Sequence, residues 1–299
     1  MKSVLSGILV LCMLFTAGCQ SRERVVSSDT VTTERRSPET DGSAAASGSG
    51  YLYQDMEYSY HTDVSQVLEY LVTDMAPEYL LLANKEHPLG EAYRPDRTVT
   101  LTCRTYLDKE IALESRTASA LYAMLAEMAA DGVTDIMVAS GSRDYRYQVS
   151  LFNQYLNNER ASITADAYAY FGQEYIQAAY LSQGKTGLSR QDAELVVRSY
   201  AAYPGTSEHQ TGMCVDLLTS NTRLNRSFED TAAFRWLSQN CHRFGFILRY
   251  PEGKTEQTGY SYEPWHYRFV GREAATEIML RGLSLEEFLA AEAAAQQAE

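Results

Sequence analysis

The chain has 299 residues, with 26 lysines and arginines against 39 aspartates and glutamates, a formal charge of −13. That balance excludes binding to nucleic-acid phosphate through a generally basic surface, and 5 cysteines are too few for a disulfide scaffold. At 45% hydrophobic and 22% charged residues the composition is that of an ordinary globular protein of one or two domains.

Residues 1–18 read as an export signal: Lys2, then an apolar run over 4–15 that is too short for a comfortable membrane span. The run ends in Thr16, Ala17, Gly18 and Cys19. Small residues directly before a cysteine resemble a bacterial lipobox, although Thr16 stands where leucine is commonest. The expectation is that Cys19 is lipidated and holds the exported protein to the outer face of the bacterial cytoplasmic membrane. Residues 19–60 then form the lipobox cysteine and a flexible tether, because the stretch to about residue 50 is Ser, Thr, Arg, Glu, Gly and Ala. Such a composition buries too little apolar surface to offset its ordering entropy. The folded domain is expected over 61–299. It retains Cys103, Cys214 and Cys241, an odd number, so at least one thiol is free or paired outside the chain.

Along that domain, helical spacing over 64–74 is followed by short strands expected at 79–83 and 98–103. Residues 115–130 predict a helix, since Ala118, Leu121, Tyr122, Leu125 and Met128 share a face and Asp131-Gly132 stops it. A buried strand is expected at 135–139, then helices at 144–157, 164–181 and 191–200, the last capped by Ser189 with Asp192. Loop follows over 203–210 and a strand over 213–218. A helix at 231–243 ends at Gly245, with a strand at 246–250, a polar loop at 251–261 and a strand at 265–270. Two helices close the chain, the last capped by Ser284 with Glu287. Helices and strands mixed without strict alternation predict an α+β fold with a small, mainly antiparallel sheet flanked by helices.

The chemistry concentrates in residues 204–216, PGTSEHQTGMCVD, and 262–266, YEPWH. Any one of these histidines alone is more often a hydrogen-bonded structural residue than a ligand. Asp216 is harder to dismiss: Met213, Val215, Leu217 and Leu218 around it predict burial, and an unpaired buried carboxylate is costly. Two imidazoles and a carboxylate, His209, Asp216 and His266, suffice for a catalytic zinc with one position left for water. Glu263 would then be the unligated base. Residues three apart on a strand face opposite ways, so Glu263 is expected on a turn, set by Pro264, that redirects its carboxylate toward the metal.

These residues resemble the zinc D-alanyl-D-alanine carboxypeptidases of the VanY type, within the lysostaphin/D-Ala-D-Ala/sonic-hedgehog group. That family's signature is Ser-x-His-x-x-Gly-x-Ala-x-Asp followed downstream by Glu-x-x-His. Ser207, His209, Gly212 and Asp216 match the first part, and Glu263 with His266 the second; Cys214 replaces the usual alanine and puts a thiol near the metal. Ser140, Gly141, Ser142, Arg143 and Gln148 resemble a further block, and Asn84, Lys85, Pro88, Leu89, Tyr93 and Pro95 an N-terminal one. The resemblance runs over about 80–281.

It implies Zn²⁺ on His209, Asp216 and His266, Glu263 as general base and Arg143 on the oxyanion. Gln148, Ser207 and Trp265 would hold the substrate, a peptidoglycan stem peptide ending in D-alanine. For Trp265, core packing is an equal reading. The activity implied is removal of the terminal D-alanine. An L,D bond in a tetrapeptide or free D-Ala-D-Ala would use the same machinery, and a metal-stabilised binding module without turnover is the rival class. Glu263 separates that rival from an enzyme, because binding alone needs no unligated carboxylate. His61, His87 and His242 match no motif and are read as surface or core residues. Ser182 to Lys185 and Lys185 to Gly187 imitate serine penicillin-binding motifs, but one lysine would have to serve two elements. Gly184, Lys185 and Thr186 lack the first glycine of a phosphate loop, position 179 being alanine. The helices between 158 and 200 are expected to shape a wall of the pocket.

Overall fold

The stretch Cys214–Leu218 is buried at every position, the pattern of a strand covered on both faces. In the computed structural model, which describes residues 52–298 apart from 56, 66 and 68–75, it is one of the two inner strands of the larger sheet. Strand β1 (Thr98–Thr100) pairs with β2 (Ala112–Glu114) as a separate antiparallel ribbon. The larger sheet holds β3 (Met137–Ser140), β4 (Cys214–Leu218), β5 (Phe246–Leu248) and β6 (His266–Phe269), in the order β3-β4-β6-β5 with every pair antiparallel. This is the expected α+β fold with a small antiparallel sheet.

Helix α1 (Ser115–Ala130) buries Ala118, Leu121, Met124 and Met128. Glu114 caps it, its carboxylate accepting from the Arg116 and Thr117 amides at 3.0 and 2.9 Å. These side chains share a core with Val138, Val215, Leu217, Tyr267 and Phe269 of the sheet. A helical layer is inserted between β3 and β4: α2 (Tyr145–Ala161), α3 (Ala165–Phe171), α4 (Gln173–Ala179) and α5 (Arg190–Tyr200). It has a core of its own, built on Leu156, Ile176, Tyr180, Leu188 and Val196. Helix α6 (Ala232–Asn240) precedes β5, and α7 (Arg272–Arg281) and α8 (Leu285–Ala298) close the chain around Ile278, Leu285 and Phe288. Among the described residues no helix is long and apolar enough to cross a membrane.

Several expectations change. Residues 79–83 form no strand; the Tyr79 and Leu81 carbonyls accept from the buried Arg268 guanidinium at 2.9 and 2.8 Å, so this backbone binds a side chain instead of a ladder. The helix expected over 164–181 breaks into α3 and α4 at Gly172, whose φ of 81° no helix accommodates. The strand at 98–103 shortens to β1, and the loop 251–261 contains one helical turn, Thr255–Thr258. Of the capping pairs, Ser284 with Glu287 is reciprocal, at 2.7 and 3.2 Å. Ser189 caps α5 through the Asp192 amide at 3.1 Å, while the Asp192 carboxylate accepts from Tyr180 instead.

The last part of the expected tether joins the domain: the Tyr53 amide donates to Glu277 at 2.8 Å and the Tyr60 hydroxyl to the Arg243 carbonyl at 3.0 Å. The export signal, Cys19, the rest of the tether and most of the helix expected at 64–74 lie outside the described residues. Cys103, Cys214 and Cys241 are all free thiols.

Candidate metal centre

His209 sits in a buried 3-10 turn, Glu208–Thr211, that stops at Gly212. Gly212 has φ 71°, and a Cβ there would lie 3.2 Å from the Glu114 amide nitrogen, which donates to the Gly212 carbonyl at 2.8 Å. The turn faces a loop from β3, whose register against β4 shifts between Val138 and Ser140. Gly141 lies in that loop with no space for a side chain: a Cβ would stand 2.6 Å from the Ala112 carbonyl oxygen. The two segments are zipped together, since the Arg143 amide donates to the His209 carbonyl at 3.0 Å and the His209 ring Nδ1 lies 2.6 Å from the Gly141 carbonyl oxygen. A carbonyl only accepts, so the network assigns the proton to Nδ1 and leaves Nε2 as the donor atom facing inward.

Asp216 and His266 are register partners on β4 and β6. The Asp216 carboxylate lies between two imidazoles, with Oδ1 3.0 Å from His266 Nδ1 and Oδ2 3.2 Å from His209 Nε2. The rings meet edge to face with centroids 5.0 Å apart. His266 Nε2 lies 3.3 Å from Glu208 Oε2, which fixes that nitrogen as the one carrying hydrogen and Nδ1 as the inward donor. Two imidazole nitrogens with their opposite nitrogens already bonded, and a carboxylate beside both, fit the donor set of a catalytic zinc. Cys214 joins them: its sulfur and donor atoms of His209 and His266 all lie within 4.8 Å of one another.

The electrostatics favour a cation here. Burial and the nearby Arg143 both oppose charge on His209, yet Cys214 and Asp216 carry it up to about 9. His266 is likewise raised, burial being outweighed by Cys214, Asp216 and Glu208. Burial resists ionisation of Asp216 too, but the imidazoles hold its carboxyl far below the usual carboxylate range. Cys214 behaves similarly: burial raises its thiol, and the two imidazoles outweigh that and lower it.

Glu263 occupies the turn before β6, where the His266 amide donates to its carbonyl at 3.2 Å. Its Oε2 lies 3.8 Å from His266 Nδ1. Burial, reinforced by Asp216 and only partly opposed by His266, His209 and Arg143, pushes its carboxyl up to about 7. A carboxylate poised near neutrality both accepts and returns a proton.

Arg143, Gln148, Ser207 and Trp265 line the same cleft, of about 390 Å³, as His209, Asp216, Glu263 and His266. Arg143 Nε and Gln148 Oε1 are buried there without a hydrogen-bond partner, although Gln148 Nε2 donates to the Ala202 carbonyl at 2.7 Å. Trp265 also packs on the main core. Tyr155, Asp166 and Tyr200 of the helical layer also line the cleft. His61, on Asp131 at 2.7 Å, and His87, on Asn84 at 3.0 Å, lie elsewhere.

Most of the support behind His266 lies outside the two motif segments. Glu208 Oε1 accepts from Arg249 Nε and Arg268 Nη1, each at 2.7 Å, and Arg249 makes a two-pronged pair with Glu286 at 2.9 and 2.6 Å. Both arginines are fully buried. The available signal is two arginines in otherwise apolar runs, Arg249 directly after β5 and Arg268 within β6.

The family described as "VanY: D-alanyl-D-alanine carboxypeptidase" matches residues 110–272, more than half of the 299 residues. A D-alanyl-D-alanine carboxypeptidase of Enterococcus faecalis is 34% identical over 210 residues, covering 70% of this chain and 65% of that protein. The solved structure of a vancomycin-resistance D,D-pentapeptidase VanY variant in complex with Zn(II) aligns at 33% identity and a TM-score of 0.53, over 71% of this chain and 99% of that one. The LD-carboxypeptidase LdcB aligns at 30% identity and a TM-score of 0.55, over 71% and 86%.

Proposed function

We propose that this chain, which belongs to the VanY family of D-alanyl-D-alanine carboxypeptidases, removes the terminal D-alanine from peptidoglycan stem peptides. The observation that carries this reading is one cleft holding His209, Asp216 and His266 as metal donors, Glu263 raised to about 7 and the unpartnered Arg143 Nε. His209 Nε2, His266 Nδ1 and Asp216 would hold the zinc ion. When bound, zinc supplies Lewis acidity, polarising the scissile carbonyl and acidifying the attacking water.

The remaining work falls to side chains. Glu263 takes a proton from the water as its oxygen attacks the peptide carbon, and returns that proton to the leaving D-alanine nitrogen as the C–N bond breaks. Arg143 donates from Nε to the oxygen on which negative charge develops. Gln148, through its unpartnered Oε1, and Ser207 orient the peptide.

The test is to incubate zinc-loaded protein with pentapeptide and tetrapeptide stems and assay released alanine. Release from the pentapeptide supports the D,D reading, and release from the tetrapeptide alone favours an L,D activity. No product from either with zinc bound refutes catalysis. Glu263→Ala should keep its zinc and lose about 10²–10⁴-fold in turnover; retained activity removes Glu263 from the mechanism.

The same reading places the enzyme outside the cytoplasmic membrane, anchored through lipid on Cys19. Its support is the position of that cysteine, where the apolar run stops and the polar run begins. Fatty-acid labelling that survives Cys19→Ala would refute it.

A further inference from the structure

The position two residues before Asp216 carries a thiol where the family signature has a methyl group. Alternate residues of a strand share a face, so Cys214 points the same way from β4 as the carboxylate of Asp216. It is fully buried and bonds to no other cysteine. Its neighbours are the two imidazoles: its sulfur and donor atoms of His209 and His266 lie within 4.8 Å of one another. Donors on one tetrahedral zinc, with bonds of about 2.0–2.3 Å, stand roughly 3.3–3.5 Å apart. Closing from 4.8 Å to that range takes at most about 1.5 Å, shared among the side chains.

We propose that Cys214 is a metal ligand, its sulfur binding the ion together with His209, Asp216 and His266. On binding, the S–H bond breaks, the proton leaves to solvent and a sulfur–metal bond forms, with no change of oxidation state. Thiolate is the softest donor of the set and suits zinc. Four protein donors fill a tetrahedral zinc. The position for a reacting water then opens by expansion to five ligands or by release of one donor.

This inference rests on the metal reading of the cleft, and its test separates the two. Zinc K-edge absorption of the loaded protein should show one sulfur at about 2.3 Å beside nitrogen and oxygen at about 2.0–2.2 Å. The cobalt-substituted protein should show thiolate-to-metal charge-transfer absorption. Both signatures should disappear in Cys214→Ala, which restores the signature's own residue, and in Cys214→Ser. Zinc bound through nitrogen and oxygen alone in the unaltered protein would overturn the sulfur ligand and leave the carboxypeptidase reading standing. A sulfur signature that persists in a folded Cys214→Ala protein would also overturn it. A protein that binds no zinc would overturn both.

Discussion

Replacing Glu208 with glutamine keeps the side chain's shape and removes its charge, which makes it a sharp probe of the support behind the metal centre. Glu208 Oε1 receives two guanidinium donors at 2.7 Å and its Oε2 faces His266 Nε2 at 3.3 Å, in a setting where Arg249 and Arg268 are fully buried. Removing one partner of a buried ion pair costs about 3–5 kcal/mol, because charge remains uncompensated. Glu286 still grips Arg249, and backbone carbonyls still hold Arg268, so the loss should fall near ~3 kcal/mol. At about 2–4 °C per kcal/mol for a domain of this size, the melting temperature of the metal-free protein should drop roughly 6–12 °C. A glutamine amide can also donate toward His266 Nε2, which would push the ring proton to Nδ1, the metal-facing nitrogen. Zinc affinity should therefore fall about 10–100-fold in a chelator competition titration. Unchanged affinity with a melting shift under a degree would refute the argument that this buried cluster holds His266 in its working tautomer.

Arg143→Ala should lower kcat about 10²–10³-fold while zinc binding is unchanged, measured by alanine release beside metal titration. Gly141→Ala should destabilise by about 1–3 kcal/mol in urea unfolding. The added Cβ would meet the Ala112 carbonyl at 2.6 Å and displace the carbonyl that bonds His209. His242, driven down to about 4 by burial and secondarily by Arg243, predicts acid sensitivity. The unfolded chain takes up this proton near pH 6.5 and the folded one does not, so stability is full above 6.5 and falls as pH drops toward 4. At about 1.4 kcal/mol per pH unit the loss is ~3 kcal/mol. His242→Gln should flatten that limb in denaturation curves taken from pH 7 to 4.

Short-range order was legible where one pattern decides the structure. Residues 115–130 form α1 at the expected bounds because an apolar face and a terminal Asp-Gly agree. The two site segments could be read because their residue types have few uses in combination at that spacing. The region 79–83 misled because its apolar run looks like a strand, while its carbonyls bind Arg268, nearly 190 residues away in sequence. Nothing local announces such a partner. The alanines and tyrosines over 164–181 predict one helix, and the single Gly172 among them outweighs that pattern. Glu208 was hidden for another reason: it occupies a variable position of the motif, and its role exists only once β5 and β6 bring Arg249 and Arg268 behind it.

The metal geometry is a property of strand register more than of any loop. Asp216 and His266 face each other across β4 and β6, and Ser140 faces Asp216 across β3 and β4, so the ligands and the loop that bonds His209 are set by one ladder. A slip of one residue would turn every donor on the moving strand to the opposite face. The features that look costly in isolation act against such a slip. The bulge between Val138 and Ser140 pins β3. Arg268 on β6 and Arg249 beyond β5 must both reach Glu208 in the turn that carries His209, and only one register satisfies both. A buried ion cluster adds little net stability over an apolar one. Here it ties three segments to one alignment, and that alignment positions the chemistry.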